Sequence, residues 1–236
     1  MNIKRLAKIL NDINNILLPL VCFGCNAQLS RGESVLCAVC RHELPLTDYT
    51  FADENPVDRI FYGRIPIKKA GAFVFFAKNG IVKNLLHQLK YKKQEHIGAF
   101  FGDWLGALLG HEPLLQTVDV VVPVPLHPKK QKKRGYNQVA LFSQKIATSI
   151  GAEYRDDILL KVINTKTQTK KDRQLRWENA KNVFQLNPTV KKNFKHLLLI
   201  DDVITTGATI EACAKTLHQV KGIDISVLSI AVVPGG

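Results

Sequence analysis

The segment LLLIDDVITTGAT, Leu197 to Thr209, places two adjacent acids and a threonine-rich loop after an apolar run. The run predicts a buried strand and the residues from about Ala208 predict a helix, so the loop would lie at a helix N-terminus. Free backbone N–H groups there favour an anion, threonine hydroxyls add donors, and glycine permits close approach to a phosphate. Asp201 and Asp202 would accept hydrogen bonds from the hydroxyls of a sugar whose 5′-phosphate the loop holds. A turn in which these side chains only cap the helix is the alternative.

Four of the five cysteines form two matched pairs, CFGC and CAVC, with the spacing C-x2-C-x11-C-x2-C: Cys22, Cys25, Cys37 and Cys40. Two such turns can point four thiolates at one centre, which is the ligand set of a structural zinc site. Four protein ligands would leave no open coordination position, so the predicted zinc is structural. Redox-active or simply buried cysteines are the alternative. His42 is interpreted as a surface histidine and Cys213 as a small core residue.

Basic side chains outnumber acidic ones by 33 to 20, and the net charge of +13 predicts attraction to polyanions. Two lysine clusters are candidate contacts for single-stranded DNA, with Tyr91 and Tyr136 available for base stacking: Lys90, Lys92 and Lys93, then Lys129, Lys130, Lys132 and Lys133. Arg134 and Gly135 are predicted to lie between a strand's carboxyl end and a helix, where they could grip pyrophosphate. A solvated basic loop is the alternative.

Strand and helix patterns alternate along the chain. Strands are predicted at Lys69–Phe76, Val118–Val122, Asp157–Ile163, Leu197–Ile200 and Ile225–Val233, and helices at 79–93, 97–109, 137–151 and 208–220. This order implies right-handed crossovers and an open, mainly parallel α/β sheet whose ligands bind at the carboxyl ends of the strands. Neither G-x-x-x-x-G-K-[ST] nor G-x-G-x-x-G occurs, which argues against the usual ATPase and dinucleotide-binding sites.

The predicted organisation is an amphipathic helix at 1–20, a four-cysteine zinc module at 21–45, a connector at 46–66 and an α/β domain at 67–236. The N-terminal helix would pack on the rest of the chain or, alternatively, lie on a membrane surface. No apolar run is long enough for a membrane span and no signal-peptide pattern is present, so we predict a cytoplasmic protein.

The segment LLLIDDVITTGAT resembles the phosphoribosyl-pyrophosphate (PRPP) signature of type I phosphoribosyltransferases. The resemblance implies the fold of that family, with Asp201 and Asp202 on the ribose hydroxyls and Mg²⁺ bridging pyrophosphate and ribose oxygens. It also implies a 5′-phosphate site formed by Thr205, Thr206, Gly207, Ala208 and Thr209. Purine-salvage members usually have a carboxylate general base where this chain has Thr205, which argues against a purine-salvage mechanism.

Three further features resemble the ComF family of competence-associated proteins. VPVPLHPKKQKKRGYNQ is similar to a proline-rich strand end followed by an R-G-[FY]-N-Q signature, and QTKKDRQLRWENAKNVF is similar to the next family segment, with Gln168, Arg176, Asn179 and Phe184 at the family spacing. The paired cysteines match as well. Lys161 and Ile163 depart from the arginines expected there. The segment 168–179 would be a mobile hood over the substrate or a plain surface loop, and Arg176 is a further pyrophosphate candidate.

Two functions are compatible with these residues. The first is a PRPP-binding, phosphoribosyltransferase-like protein of natural competence that contacts single-stranded DNA and DNA-uptake proteins. The second is an active Mg²⁺-dependent phosphoribosyltransferase of nucleotide metabolism that acts on a nucleobase or another small acceptor. No residue pattern identifies a catalytic group or an acceptor.

Overall fold

The computed structural model of the chain describes residues 19–49, 51–163, 183–190 and 193–235. The predicted N-terminal helix and the candidates Gln168, Arg176 and Asn179 lie outside these ranges. The described strands are β1 (Ala70–Phe75), β2 (Val120–Pro123), β3 (Glu153–Tyr154), β4 (Leu159–Lys161), β5 (Phe184–Leu186), β6 (His196–Ile204) and β7 (Asp224–Val232). The described helices are α1 (Ala38–His42), α2 (Pro56–Arg59), α3 (Ile81–Tyr91), α4 (His96–Leu109), α5 (Pro128–Arg134), α6 (Ala140–Ile150) and α7 (Ala208–Leu217), with a 3₁₀ turn at Leu115–Thr117.

Within the described ranges, five strands form one sheet in the order β1-β7-β6-β2-β3, and every neighbouring pair is parallel. The central strands β6 and β7 have nine residues each, and nearly all of them are buried. Strands covered on both faces read as continuous apolar runs, which is why the sequence reveals β2, β6 and β7. The expected α/β class with a mainly parallel sheet is confirmed.

One predicted strand of the main sheet is wrong. Within Asp157–Ile163 only β4 is a strand, and it pairs antiparallel with β5 in a separate two-stranded ribbon. The reason lies in its burial, because Leu159 is buried whereas Leu160 is 41% exposed. Such alternation suits a ribbon with one solvated face and not a strand buried on both faces. The strand that pairs with β2 in the main sheet is β3, whose two residues are too few to give a pattern.

Helices α3, α4 and α6 cover one face of the sheet, and their apolar side chains share a core with the cysteine module. The contact between α4 and α6 is close: a Cβ at Gly102 would stand 2.6 Å from Lys145 Cβ and 2.9 Å from Phe142 O. Helix α7 and the β4–β5 ribbon cover the other face. The sheet is therefore the middle layer of a three-layer α/β/α arrangement.

The segment 46–66, expected as a turn-rich connector, packs on the sheet. Leu46 forms a bridge with Val74 of β1, and Thr47 Oγ1 donates to Ala72 O at 2.5 Å. Farther on, Val57 and Phe61 are buried in the core on the α7 side. This segment both covers the edge strand β1 and reaches the far face of the sheet. None of the described helices has the length and apolarity needed to cross a bilayer.

Candidate functional site

The two adjacent acids lie inside strand β6 and not after it. The strand was expected to end at Ile200, but it continues to Ile204, so this boundary is wrong. The neighbour β2 ends at Pro123, opposite Ile200, whereas β7 stays paired up to Val232, opposite Ile204. Asp201 and Asp202 therefore lie at the carboxyl edge of the sheet, held by β7 on one side and open where β2 has ended.

Successive residues of a strand face opposite sides of a sheet, and this separates the two carboxylates. Asp202 faces the side of α3 and α6. Its Oδ1 accepts from Lys90 Nζ at 2.9 Å and its Oδ2 accepts from Gln138 Nε2 at 2.6 Å. Asp202 is 8% exposed, so a cation and an amide replace much of the water that its charge has lost.

Asp201 faces the opposite side and is equally buried. Its Oδ1 accepts the backbone N–H of Asp202 at 2.8 Å, and no other described residue hydrogen-bonds to its carboxyl group. Burial, and secondly the charge of Asp202, raise the pKa of Asp201 to about 7. A buried carboxyl with a raised pKa, one of whose oxygens has no partner among the described residues, is a group that a bound cation or hydroxyl donor would stabilise in its charged form.

The loop after β6 has the features of an anion site. Thr205, Thr206 and Thr209 are exposed, and their hydroxyls make no hydrogen bond to other described residues. Helix α7 begins after Gly207 without any side-chain capping bond from the described chain, so its first N–H groups are not satisfied by a cap. The alternative in which the acids and threonines merely cap the helix is therefore wrong. A cavity of about 180 Å³ is lined by Asp201 and residues 203–210.

Gly207 is required at its position for two reasons. Its φ of 74° lies in the left-handed region, and a Cβ would stand 2.7 Å from Phe61 Cε1 and 2.9 Å from Ile60 Cγ2. The loop is thus pressed onto the segment that precedes β1. This packing fixes the backbone at the start of α7.

No motif in the sequence singles out Arg64, yet this residue binds both the loop and α7. It donates to Thr206 O at 2.6 Å and to Ile60 O at 3.0 Å, and it pairs with Glu211 of α7 at 2.5 Å. Arg64 and Thr206 are 142 positions apart, and no local pattern indicates such a contact. The carbonyl of Thr206 is therefore tied to the segment that precedes β1.

The segment between β2 and α6 differs from the expected strand–loop–helix arrangement. Residues 128–134 form a two-turn helix, α5, and Gly135 ends it with a φ of 93°. Arg134 and Gly135 thus lie between the end of β2 and α6, as expected, but Arg134 is the last residue of a helix and the alternative of a solvated basic loop is wrong. Its guanidinium donates to Gln138 Oε1, and Gln138 in turn donates to Asp202. Arg134 is connected to Asp202 through a single side chain.

Two other residues of the RGYNQ motif connect the segment between α5 and α6 to α3 and to the end of β2. The hydroxyl of Tyr136 donates to Leu89 O in α3, and Asn137 Nδ2 donates to Val124 O at the end of β2 at 3.0 Å. Since the ring of Tyr136 also packs against the core of this face, Tyr136 has little surface left for a base. The motif therefore connects α3, β2 and Asp202.

The two lysine clusters expected to contact DNA meet in one groove between the end of α3 and α5, which we call the basic cleft. It has a volume of about 440 Å³ and is lined by Lys90, Tyr91, Lys93, Lys129, Lys130, Lys133 and Arg134. Lys92 and Lys132 are exposed but do not line it. The ring of Tyr91 is 62% exposed, and the Arg134 guanidinium lies 5.7 Å from its centroid. The cleft thus combines clustered positive charge with one open aromatic ring.

The four paired cysteines form one cluster, with their sulfur atoms all within 4.8 Å of one another. Gly24 N and Cys37 N donate to Cys22 Sγ at 3.4 and 3.3 Å, and Cys40 N donates to Cys37 Sγ at 3.4 Å. Burial raises the pKa of the Cys22 thiol, but N–H groups outweigh that effect and bring this pKa down to about 7. Four converging sulfurs with N–H donors fit a tetrahedral metal such as zinc.

The positions of Cys213 and His42 match their interpretation as a core residue and a surface residue. Cys213 is a fully buried core residue within α7, and His42 is exposed and outside the cluster of four sulfurs. Gly24, between the first two cysteines, has no room for a side chain. A Cβ there would stand 3.0 Å from both Cys40 Sγ and Ile81 Cγ2. Since Asn84 Nδ2 also donates to Gly24 O at 2.7 Å, the cysteine module is fixed to the start of α3.

The sequence of this chain is similar to those of several bacterial proteins. No family model matches the sequence. DNA utilization protein YhgH of Escherichia coli strain K12 is 27% identical over 85% of this chain and 91% of its own length. The YhgH protein of Salmonella typhimurium and competence protein F of Haemophilus influenzae are each 35% identical. The chain is a homologue of these proteins. It spans 59% and 52% of the length of the latter two relatives.

Among solved structures, orotate phosphoribosyltransferase from Aeropyrum pernix is similar over 75% of this chain and 93% of its own. The sequence identity is 13% and the TM-score is 0.35. A likeness of this size concerns the arrangement of the fold and carries no argument about activity.

Proposed function

We propose that this protein binds PRPP at the carboxyl edge of its sheet and acts in DNA utilisation in the cytoplasm, with single-stranded DNA held in the basic cleft. The observation that carries the proposal is the uncapped start of α7 beside the buried carboxyl of Asp201. An open helix N-terminus supplies N–H donors for a phosphate, and a carboxyl next to it supplies acceptors for sugar hydroxyls. A phosphorylated sugar carries both groups.

The 5′-phosphate of PRPP would occupy the cavity of about 180 Å³, where three exposed threonine hydroxyls add to the backbone donors. The ribose hydroxyls would donate hydrogen bonds to Asp201, one of whose carboxyl oxygens has no described partner, and to Asp202 at the same edge. The pyrophosphate would then face Lys90 and Arg134, with Gly135 at the end of α5 beside them. Arg176 stays a candidate for the same group.

Magnesium suits the Asp201 carboxyl, because the oxygen that has no partner in the described part of the chain is a hard ligand of the kind that Mg²⁺ prefers. Asp201 is the residue that would hold the ion, and the bound ion would offset the charge of the pyrophosphate. The Asp202 carboxylate fits less well, since Lys90 and Gln138 already donate to both of its oxygens.

The DNA part of the proposal rests on the basic cleft and on the names of the relatives, which are DNA utilization and competence proteins. Lysine and arginine side chains would neutralise phosphates and Tyr91 would stack on one base. The cysteine cluster would hold a structural zinc that keeps the N-terminal module on α3. DNA-uptake proteins are the partners that this role implies.

Isothermal titration calorimetry with PRPP and Mg²⁺ tests the central claim. We expect wild-type protein to bind and the double variant Thr205→Ala, Thr206→Ala to bind at least about tenfold more weakly, since two phosphate donors are lost. Thr148→Ala is the matched control, because it removes an exposed threonine hydroxyl from α6, outside the lining of this cavity. Equal PRPP affinity in the wild-type protein and the double variant would refute the phosphate site.

Transfer of the phosphoribosyl group to an acceptor is a separate question from binding. Pyrophosphate release from PRPP, measured with and without nucleobases and single-stranded DNA, distinguishes the two. We expect binding without release when no acceptor is present. Release that depends on one acceptor would establish the catalytic alternative for this site.

A further inference from the structure

The structure brings into one cleft two groups of residues that the sequence assigned to different ligands. Arg134 was a candidate for pyrophosphate, and the lysines of α3 and α5 were candidates for DNA. Arg134 and most of these lysines line the same basic cleft, whose volume is about 440 Å³. Two of these cations also connect to the sugar side of the site. Lys90 donates directly to Asp202, and Arg134 reaches Asp202 through Gln138.

The position of Asp202 fixes where a pyrophosphate group would go. On PRPP the pyrophosphate is attached to the sugar carbon next to the one that carries the 2-hydroxyl. A sugar held at Asp202 would therefore place its pyrophosphate close to Lys90, whose ammonium group is 2.9 Å from that carboxylate. Since Lys90 lines the basic cleft, the pyrophosphate would extend into the cleft.

A DNA strand in the cleft would need the same cations. Six of the seven lining residues are cationic, and the phosphates of a strand would bind there by neutralising them. A pyrophosphate group would neutralise Lys90 and Arg134 and fill part of the space beside Tyr91. Charge and volume therefore both oppose simultaneous binding.

We propose that PRPP and single-stranded DNA compete for the basic cleft, so that PRPP binding releases DNA. This inference rests on the proposed function, since it requires that both ligands bind. It assigns the cleft a regulatory part: DNA is held when PRPP is scarce and is released when PRPP is abundant. Competition at one site raises the apparent Kd of DNA in proportion to one plus the ratio of PRPP concentration to its own Kd.

The test is the fluorescence anisotropy of a labelled oligo-dT strand, measured with protein at constant ionic strength while PRPP and Mg²⁺ are added. At PRPP equal to about ten times its Kd, we expect the DNA Kd to rise about tenfold. Ribose 5-phosphate is the matched ligand control, because it can occupy the loop and the acids but has no pyrophosphate. It should leave the DNA affinity unchanged, whereas Mg²⁺-pyrophosphate alone should displace the strand.

Variants test the shared cations separately. Lys90→Met should weaken the binding of both PRPP and DNA, and Lys129→Ala offers a second cleft lysine whose loss does not disturb the Asp202 ion pair. Lys132→Ala is the control on the same helix, because Lys132 does not line the cleft. Lys129→Ala should weaken DNA binding more than Lys132→Ala does.

The outcomes distinguish a failure of the proposed competition from a failure of the proposed function. If PRPP and DNA each bind but the DNA Kd stays constant at saturating PRPP, the competition is disproved and the proposed function stands. Displacement by ribose 5-phosphate as strong as that by PRPP would also overturn it, since the loop would then control DNA release. If PRPP does not bind at all, the proposed function fails and the inference fails with it.

Discussion

The ammonium group of Lys90 lies 2.9 Å from Asp202 Oδ1, although 112 positions separate the two residues in the sequence. The pair connects the last turn of α3 to the carboxyl edge of the sheet. Because the Lys90 and Asp202 side chains are 22% and 12% exposed, the pair is largely shielded from water. Removing one partner from such a pair leaves the other charge poorly compensated.

Replacing Lys90 with methionine should therefore destabilise the fold. Loss of one partner of a fully buried pair costs about 3–5 kcal/mol, and residual exposure reduces the expected loss to about 2 kcal/mol of unfolding free energy. Urea denaturation of the two proteins measures the difference. Lys93→Met is the control, since Lys93 lines the same cleft and forms no ion pair within the described part of the chain. A loss of the same size in both variants would show that Lys90–Asp202 contributes nothing specific.

Asp201 should make the stability of the ligand-free protein fall as pH rises. Burial and the neighbouring Asp202 charge raise its folded-state pKa to about 7, above the usual aspartate value of 3.8. Between about pH 4 and pH 7 the folded state therefore binds more protons than the unfolded state, and the stabilising effect is lost as pH approaches 7. Asp201→Asn should match the wild type near pH 4 and exceed it by more than about 1 kcal/mol at pH 8.

The measurement is a series of denaturation curves from pH 4 to pH 8 for both proteins. Asp103→Asn serves as the control, because it removes an exposed acid from α4. A pH dependence that both variants share would not come from Asp201. A stability difference between Asp201→Asn and wild type that stays flat from pH 4 to pH 8 would mean that Asp201 titrates in the folded protein as it does in the unfolded chain.

The parts of the fold that the sequence predicts are those with strong local patterns. Strands β6 and β7 are buried on both faces, so their residues form uninterrupted apolar runs. The cysteine pairs are equally local, because each C-x2-C turn brings two sulfurs together by itself. The loop after β6 carries its donors within five residues. These features needed no knowledge of the tertiary structure.

The parts that the sequence missed depend on contacts between distant segments. The two-residue strand β3 exists because β2 is beside it, and β4 pairs with β5 across the chain. Arg64 acts on Thr206 from 142 positions away, and Gln138 reaches Asp202 from 64 positions away. Such pairs leave no periodic trace in one sequence. The candidate site could thus be located in advance, while its ion pairs and hydrogen bonds could not.

Two tyrosines that the sequence treats alike should differ in DNA binding. Tyr91 is 62% exposed in the basic cleft, so Tyr91→Ala should weaken oligo-dT binding by about 1–3 kcal/mol, the usual value of one stacked base. Tyr136→Phe should leave DNA affinity unchanged and lower stability by about 1 kcal/mol, because it loses the hydrogen bond to Leu89 O. Anisotropy and urea denaturation measure the two effects. A loss of DNA affinity in Tyr136→Phe would place a base against Tyr136 instead.

The metal content of the protein should depend on four cysteines and not on the fifth. The sulfurs of the pairs lie within 4.8 Å of one another, whereas Cys213 is fully buried within α7. We expect one zinc ion per wild-type chain, little or none in Cys25→Ser because a thiolate ligand is lost, and an unchanged content in Cys213→Ala. Elemental analysis of dialysed protein gives the ratio. Because Asn84 ties the module to α3, chelation should also speed amide exchange in α3. Equal zinc content in the two cysteine variants would disprove the four-cysteine site.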